Sequence, residues 1–419
     1  MNSHRQSGFI LRARVVLPVS SRPIDNGAVF VSGGGVEAVG AFDDLNAPAK
    51  TPVQDLGEVI LMPGLVNAHC HLEYTGMAGL VPAGDSFTDW LRRIIRLKAS
   101  WTRQQFLESW RTGSEMSARA GITSVGDVLS VHSLLPEVWD DAPIRLVPFL
   151  ELTGLNAGAP AADLLDFAML TVKELSPDED EMGLSPHSLY STVKGLPDMI
   201  ARKAEYECLL TTMHLAESDE EFEMFHDARG EMFEWLKGLG RDMGDCGGRS
   251  PVQLAQEQGL LNPSFLAAHV NRLAAGDAAR LGSHVTKVVH CPGSHAFFSH
   301  PPFPYHELVK ERVKVCLGTD SLASIEADGG EGARLSMLDE MRRFSKAFPD
   351  VSAEEVVRMG TLNGAYSLGF GRHVGEFCRG AFADCITLPH SGGLADAYEA
   401  VVHSSGLPEK VMAGGQWIE

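Results

Sequence analysis

The sequence predicts an α/β fold, a parallel β/α barrel with all-β segments at both chain ends. Three observations predict it. From Pro63 to about residue 375, short apolar runs alternate with segments of helical periodicity; polar residues gather at the C-terminal end of those runs; and outside that stretch short strands are separated by glycine turns. The 419 residues exceed a typical single domain, yet β/α barrels extend well past about 250 residues as one unit. Hydrophobic residues make up 44% and charged residues 21%, with no low-complexity tract, so the whole chain can bury a large core.

Residues 8–62 open with "GFILRARVVLP" and "GAVFVSGGGVEAVG", where Gly33-Gly34-Gly35 sits between two β-branched stretches as a hairpin connection would. After Pro63, "SFTDWLRRIIRLKASWT" and "TRQQFLESWRTGSEMSARAG" have helical periodicity, and Gly121 stops the second before the strand "ITSVGDV". Strands follow in "IRLVPFLELTG", "EMGLSPHSLYS", "LLTTMHLAES", "FLAAHVNRL", "VTKVVHCPGSH" and "VKVCLGTDSLAS", with helices such as "PAADLLDFAMLTVKEL" between most of them. About eight strands fit between 63 and 375. "VSAEEVVRMGTLNGAYSLGF" reads as one helix with a Ser352/Glu355 capping box. The tail then returns to short strands, which are expected to pack with residues 8–62.

The charge excludes some partners. With 35 basic against 55 acidic residues the formal charge is −20, which repels a phosphate backbone, so nucleic acid is not expected. No apolar run has the length of a membrane span, and arginines interrupt the short apolar stretch near the N-terminus, so neither a membrane nor a secretory signal is expected. A soluble, cytoplasmic protein follows. The 7 cysteines are an odd number without CxxC spacing, which argues against a disulfide framework and a thiolate zinc cluster.

Histidines carry the chemistry. In "MPGLVNAHCHLEYTGM", strand alternation projects His69 and His71 to one face and Cys70 to the other, so Cys70 is not expected to act as a nucleophile. Two neutral imidazoles side by side can grip a metal ion. His214, His269 and Asp320 stand at the ends of three further strands, and in β/α barrels the C-terminal strand ends form the active site. Taken singly, His269 reads more readily as a hydrogen-bonded core or rim histidine, and Asp320 could cap a helix beginning near Ser321. Together the nitrogen and oxygen donors suit one divalent cation, Zn²⁺ or Fe²⁺, with a position left for water.

These motifs resemble a known family. "PGLVNAHCHLE", "SPHSLYST", "HLAES", "LGTDS" and "TLNGAYSLGF…VGEFCRGAFADCITL", in that order, are similar to the amidohydrolase superfamily, in particular its mononuclear deaminase and chlorohydrolase branch. The resemblance implies a distorted (β/α)₈ TIM barrel over 63–375 and a small β-sandwich from 1–62 with 376–419. It implies one divalent metal, zinc before iron, held by His69, His71, His214 and Asp320. The bridging lysine of two-metal members has no counterpart, since "GLSPHSLYS" offers His187 instead. Glu217, three residues after His214, would protonate a ring nitrogen; Asp320 would take a proton from the attacking water; His269 would orient the nucleophile without binding metal. The reaction implied is hydrolytic deamination of an aminopurine-type ring, with hydrolysis of C–Cl, guanidine or amide C–N bonds as the alternative. A second copy of the chain is the expected protein partner. His295 departs from the family pattern, where asparagine is common.

For the substrate, Glu73-Tyr74 followed by Phe87, Trp90 and Leu91 resembles the 6-aminodeoxyfutalosine deaminases of the alternative menaquinone route. By that resemblance Glu73 would bind ribose hydroxyls, Trp90 and His187 would contact the substrate, and Arg93, with Arg92 and Arg96 near it, would meet a benzoate carboxylate. Lys98 stands near the place where methylthioadenosine and adenosylhomocysteine deaminases carry a glutamate, which argues against those nucleosides.

Overall fold

Eight parallel strands form the barrel: β1 (Leu65–Cys70), β2 (Ile122–Leu129), β3 (Arg145–Leu152), β4 (Gly183–Pro186), β5 (Leu210–Leu215), β6 (Phe265–His269), β7 (Lys287–His290) and β8 (Lys314–Leu317). The computed structural model describes residues 8–139, 141–154, 160–176, 182–325 and 332–418. Residues 1–7 of the N-terminal β segment and Glu181 of "EMGLSPHSLYS" lie outside them. Each strand pairs with the next in sequence, and a parallel bridge between Cys70 and Asp320 brings the last strand back to the first. Runs such as "LVNAHC" and "ITSVGDVL" are buried at every position, as strands covered on both faces must be.

The first helical segments behave as their periodicity predicts. Ser86 caps α1 (Phe87–Ser100) by accepting from the backbone of Asp89, and Phe87, Trp90, Leu91 and Ile94 bury one face. Thr102 and Gln105 form a capping box on α2 (Arg103–Arg119), and Gly121, at φ +82°, makes the left-handed turn into β2. The expected single helix after Ser352 is two, Ala353–Met359 and Leu362–Ser367. The cause is a tertiary contact: the Gly360 carbonyl accepts from Val66 of β1 at 2.9 Å, which diverts it from the helix ladder. Ser352 does cap the first, accepting from Glu355.

Strands from both chain ends build one further hydrogen-bonded sheet of eight. Val59–Pro63, just before β1, lies antiparallel to Cys385–Pro389, so N- and C-terminal segments pair directly. Gly33 and Gly34, at φ +61° and +79°, form the hairpin turn between Ile24–Ser32 and Gly35–Ala41. Leu11, Val29, Leu61, Phe377 and Met412 form a buried layer against this sheet. The tail also contains a short helix, Ala397–Val402, where strands alone were expected.

The barrel seam is tight. Gly318 follows β8, and a Cβ there would lie 2.8 Å from the His69 carbonyl oxygen and 3.0 Å from its Cβ. Gly318→Ala is expected to cost about 1–3 kcal/mol, since backbone of the facing strand cannot yield cheaply; thermal unfolding followed by circular dichroism measures it, and an unchanged midpoint would show that the seam relaxes freely.

Candidate metal centre and active site

The side chains predicted from the strand ends converge. One donor atom from each of His69, His71, His214 and Asp320 lies within 4.8 Å of all the others, and all four residues are buried. The Nε2 atoms of His71 and His214 are 3.1 Å apart, and those of His69 and His71 lie 3.8 and 3.7 Å from Asp320 Oδ1. Strand ends turn sharply to achieve this. His269 and Asp320 take left-handed conformations, φ +71° and +54°, as does Ala216 before Glu217, φ +51°. Non-glycine residues rarely adopt that region, and such strain concentrates where surrounding structure imposes it.

A supporting layer holds the backbone of His69 and the side chains of Asp320 and His214. Asn67 Nδ2 donates to Thr319 Oγ1 at 2.7 Å and its Oδ1 accepts from Thr319 N at 3.0 Å, locking β1 to the end of β8 beside His69. The backbone nitrogens of Thr319 and Asp320 both donate to the His69 carbonyl. Ser324 Oγ donates to Asp320 Oδ2 at 3.0 Å, leaving Oδ1 toward the imidazoles. His214 Nδ1 donates to the His187 carbonyl at 2.9 Å, so its Nε2 presents a lone pair.

These residues fit a metal. Burial, then neighbouring charges, holds His69 and His71 well below the usual histidine pKa, so both are neutral and can offer lone pairs. His69 Nε2 is buried without a hydrogen-bond partner among the described residues. An orphaned buried nitrogen is costly unless something else satisfies it. A set of imidazole nitrogens with one carboxylate suits zinc or iron better than magnesium or calcium.

Glu217 and His269 flank the donor set. His269 Nε2 is 3.6 Å from Glu217 Oε1, and Glu217, His269 and Asp320 form a second close group. Burial first, then the charges of Asp320, Glu221 and Glu220, push Glu217 well above the usual carboxylate range. Burial likewise lowers His269, which stays neutral. Glu221 anchors this corner by accepting from the backbone of Ala216 and Glu217 at 3.1 and 2.8 Å. Cys70 points elsewhere: its buried thiol accepts from Thr319 Oγ1, and burial raises its pKa far above the ordinary range.

The sequence profile of the amidohydrolase family matches residues 60–418. The chain belongs to the amidohydrolase family. Relatives include a 5-methylthioadenosine/S-adenosylhomocysteine deaminase from Syntrophobacter fumaroxidans, 28% identical across 96% of this chain and 89% of the relative, and a 5′-deoxyadenosine deaminase from Methanoregula boonei, 27% identical across 80% and 72%. Among solved structures, Helicobacter pylori aminofutalosine deaminase in complex with methylthio-coformycin superposes with a TM-score of 0.84 at 20% identity, covering 98% of this chain and all (100%) of that one. A zinc-bound adenosine deaminase from Xanthomonas campestris gives 0.81 at 20% identity over 98% and 92%.

This amidohydrolase has a cavity of about 520 Å³ above the donor set. Trp90 and His187, expected to touch substrate, line it. Two expected residues do not. Glu73 is fully buried, and its carboxylate accepts from Ser130 N at 2.9 Å, Val131 N at 3.1 Å and the Ser130 hydroxyl, so it braces the loop after β2 instead of facing ribose. Its position on a 3₁₀ turn, Leu72–Met77, breaks the alternation that a strand would continue. Arg93 pairs with Asp89 one turn earlier at 2.6 Å and lies outside the cavity wall, and Arg92 pairs with Glu231 at 2.6 Å. Helical spacing gives the reason: the buried face of α1 carries Trp90, Leu91 and Ile94, and Arg93 falls on the other.

Sequence reasoning missed Asn67, Ser324 and Glu151. Asn67 shares the alternating face of His69, and Glu151 stands near the C-terminal end of "RLVPFLEL", so the rule used for His214 and His269 could have found both. Ser324 carries no such signal. Away from the donor set, His390 is buried, and His300 sits against Phe87 and Phe298.

Metal content tests the centre. His71→Asn should leave the purified protein without stoichiometric metal, whereas Ser324→Ala should weaken binding about 10- to 100-fold, the usual effect of removing a group that orients a ligand. Elemental analysis after dialysis against graded chelator measures both; full metal retention by His71→Asn would exclude this donor set.

Proposed function

We propose that this amidohydrolase is a metal-dependent hydrolytic deaminase that releases ammonia from the aminopurine ring of an adenine-type nucleoside. The observation that carries it is the placement of a buried carboxyl, Glu217, 3.6 Å from the His269 imidazole and beside the four-residue donor set. The deaminases among its relatives support the same reading.

His69, His71, His214 and Asp320 would hold the metal, with zinc favoured by the donor chemistry. A divalent cation held there would lower the pKa of water from about 15.7 toward about 7, supplying a nucleophile at neutral pH. The chain's residues do the rest. Asp320 accepts the proton that the attacking water gives up. Glu217, raised by burial and so carrying its proton at neutral pH, donates it to the ring nitrogen next to the reacting carbon as water adds. His269, 3.6 Å from Glu217 and close to Asp320, orients the nucleophile. Asp320 returns its proton to the amino group, the carbon–nitrogen bond breaks and ammonia leaves, and the hydroxyl proton left on the ring carbon passes back to Glu217 as the carbonyl forms.

The cavity wall supports a flat, partly apolar substrate. Phe87, Trp90, Leu91, Ile94, Trp235 and Leu236 give it an apolar flank suited to a purine face or an apolar 5′ substituent. A benzoate-bearing nucleoside such as aminodeoxyfutalosine would find its cation in Lys98, not Arg93. Placement in menaquinone synthesis depends on that substrate being turned over.

Purified metal-loaded protein incubated with adenosine, 5′-deoxyadenosine, 5′-methylthioadenosine, S-adenosylhomocysteine and aminodeoxyfutalosine should release ammonia from at least one, with the inosine-type product seen by its ultraviolet shift. Chloride release from a chlorotriazine, with every aminopurine intact, would establish the alternative chemistry instead. Glu217→Gln should keep its metal and lose about 10²- to 10⁴-fold in kcat; near-normal turnover would refute the proton-transfer role.

A further inference from the structure

Two parts of the cavity wall come from separate loops, and one buried arginine ties them together. The first is the turn after β4, whose His187, Tyr190 and Ser191 line the cavity. The second is the helix Glu231–Gly238, which contributes Trp235 and Leu236. That helix ends at a left-handed glycine, Gly240 at φ +86°, where the Gly240 nitrogen donates to the Lys237 carbonyl and the Arg241 nitrogen to the Leu236 carbonyl. The pattern binds the Arg241 backbone to a residue of the wall.

From there the Arg241 side chain crosses to the turn. Only 6% of it is exposed. Nε donates to the Tyr190 carbonyl and Nη2 to the Leu189 carbonyl, both at 3.0 Å. The Asp245 carboxylate accepts a parallel pair, 2.8 Å from Nη1 and 2.7 Å from Nη2, and Nη1 also donates to the Asp242 carbonyl at 2.7 Å. Every N–H of the guanidinium is thereby used. Its carbon lies 5.4 Å from the centre of the buried Phe225 ring. Among the described residues no backbone N–H donates to the Leu189 or Tyr190 carbonyl, and both residues are buried. Without the guanidinium two consecutive acceptors would be left unpaired, and the turn would shift to satisfy them.

Such a shift reaches the cavity wall and not the donor set. Tyr190 meets the His187 ring edge to face, with ring centres 6.0 Å apart, so displacing its backbone changes the surface that the two rings present. The start of the turn is tied to the barrel independently: His187 N donates to the Leu152 carbonyl, and the His187 carbonyl accepts from His214 N and Nδ1.

We infer that Arg241 is a positioning residue for substrate binding: by clamping the Leu189 and Tyr190 carbonyls to the helix that carries Trp235 and Leu236, it fixes the spacing of the two walls. The inference rests on the aminopurine-deaminase reading of the same cavity. Lysine is no substitute, because a single ammonium lacks the planar fork that reaches two carbonyls and a carboxylate at once.

The test compares metal-loaded wild type, Arg241→Lys and Asp245→Asn. Adenosine, 5′-deoxyadenosine, 5′-methylthioadenosine, S-adenosylhomocysteine and aminodeoxyfutalosine serve as substrates, and hydrogen exchange of the backbone amides of 188–193 is the second readout. In Arg241→Lys, KM should rise about 10-fold, the equivalent of one lost hydrogen bond to a charged group, with kcat within about 3-fold of wild type and metal content unchanged. Exchange across 188–193 should accelerate while the barrel strands keep their protection. Asp245→Asn, which loosens the guanidinium without removing it, should move KM and exchange the same way by less. A role confined to stability would lower the unfolding midpoint alone. Unchanged KM or unchanged exchange in a folded Arg241→Lys, or a fall in kcat as large as the rise in KM, overturns the inference and leaves the deaminase reading standing. Turnover of none of the five nucleosides by the wild type overturns the deaminase reading, and the inference with it. Should Arg241→Lys fail to fold, Asp245→Asn decides by the same criteria.

Discussion

The site depends on how the barrel closes. Among the described residues, β1 is joined to the segment that follows β8 by a single parallel bridge, Cys70 to Asp320, where the other neighbours share longer ladders. What makes up the difference is a knot of side-chain and backbone bonds: Asn67 to Thr319 twice, and Thr319 and Asp320 nitrogens to the His69 carbonyl. Because the residues that fasten the seam are neighbours of the residues that bear the donors, closing the barrel and assembling the donor set are one event. Gly318 is required at that point for the same reason, since any side chain would hold the two strands apart. A distant pair in sequence, His69 and Asp320, thereby gains a fixed spacing.

Burial then sets the protonation of everything at the barrel mouth, in opposite directions for opposite charge types. It lowers the imidazoles of His69, His71 and His269 and raises the carboxyl of Glu217. Neutral imidazoles can bind metal, and a carboxyl held above its usual range can donate a proton, so one physical cause suits both halves of the proposed chemistry. Glu151 shows the limit of that rule. Burial works to raise it, but His187, Lys98, His214 and His132 together outweigh burial and hold it below its ordinary range. It stays an acceptor only a short way from a carboxyl that is a donor.

Much of this was legible in the sequence because barrels repeat. Each strand is a short apolar run buried on both faces, and the polar residue that ends it stands at the mouth; His214, His269 and Asp320 followed from that regularity alone. Glu217 and the ligand assignment needed the family resemblance, since a carboxylate before the acidic helix Asp219–Asp227 has no local mark of function. What misled was the region where regularity stops. Past Cys70 the chain enters a 3₁₀ turn, so counting by two no longer gives the direction of Glu73. On α1, spacing fixed the buried stripe correctly, yet the arginines were read by charge and not by face. The split of the helix after Ser352 came from a tertiary bond, Val66 to Gly360, that no local window contains.

Glu73 and Glu151, both buried near the mouth, differ in the hydrogen-bonding capacity they have left. A carboxylate near the mouth can do one of two jobs: accept backbone N–H groups and brace a loop, or face the cavity and accept from a ligand. Glu73 has three donors from Ser130 and Val131, so another hydrogen bond would add little to it and its release would unravel the loop after β2. Glu151 has two cationic or polar neighbours held just beyond hydrogen-bond reach by their own partners, Tyr74 beneath Lys98 and the serines behind His187. Those partners stop the neighbours from collapsing onto the carboxylate. An acceptor with unused capacity, facing the cavity between preorganised neighbours, can still take a hydrogen bond where Glu73 cannot, and that difference in capacity separates the two carboxylates.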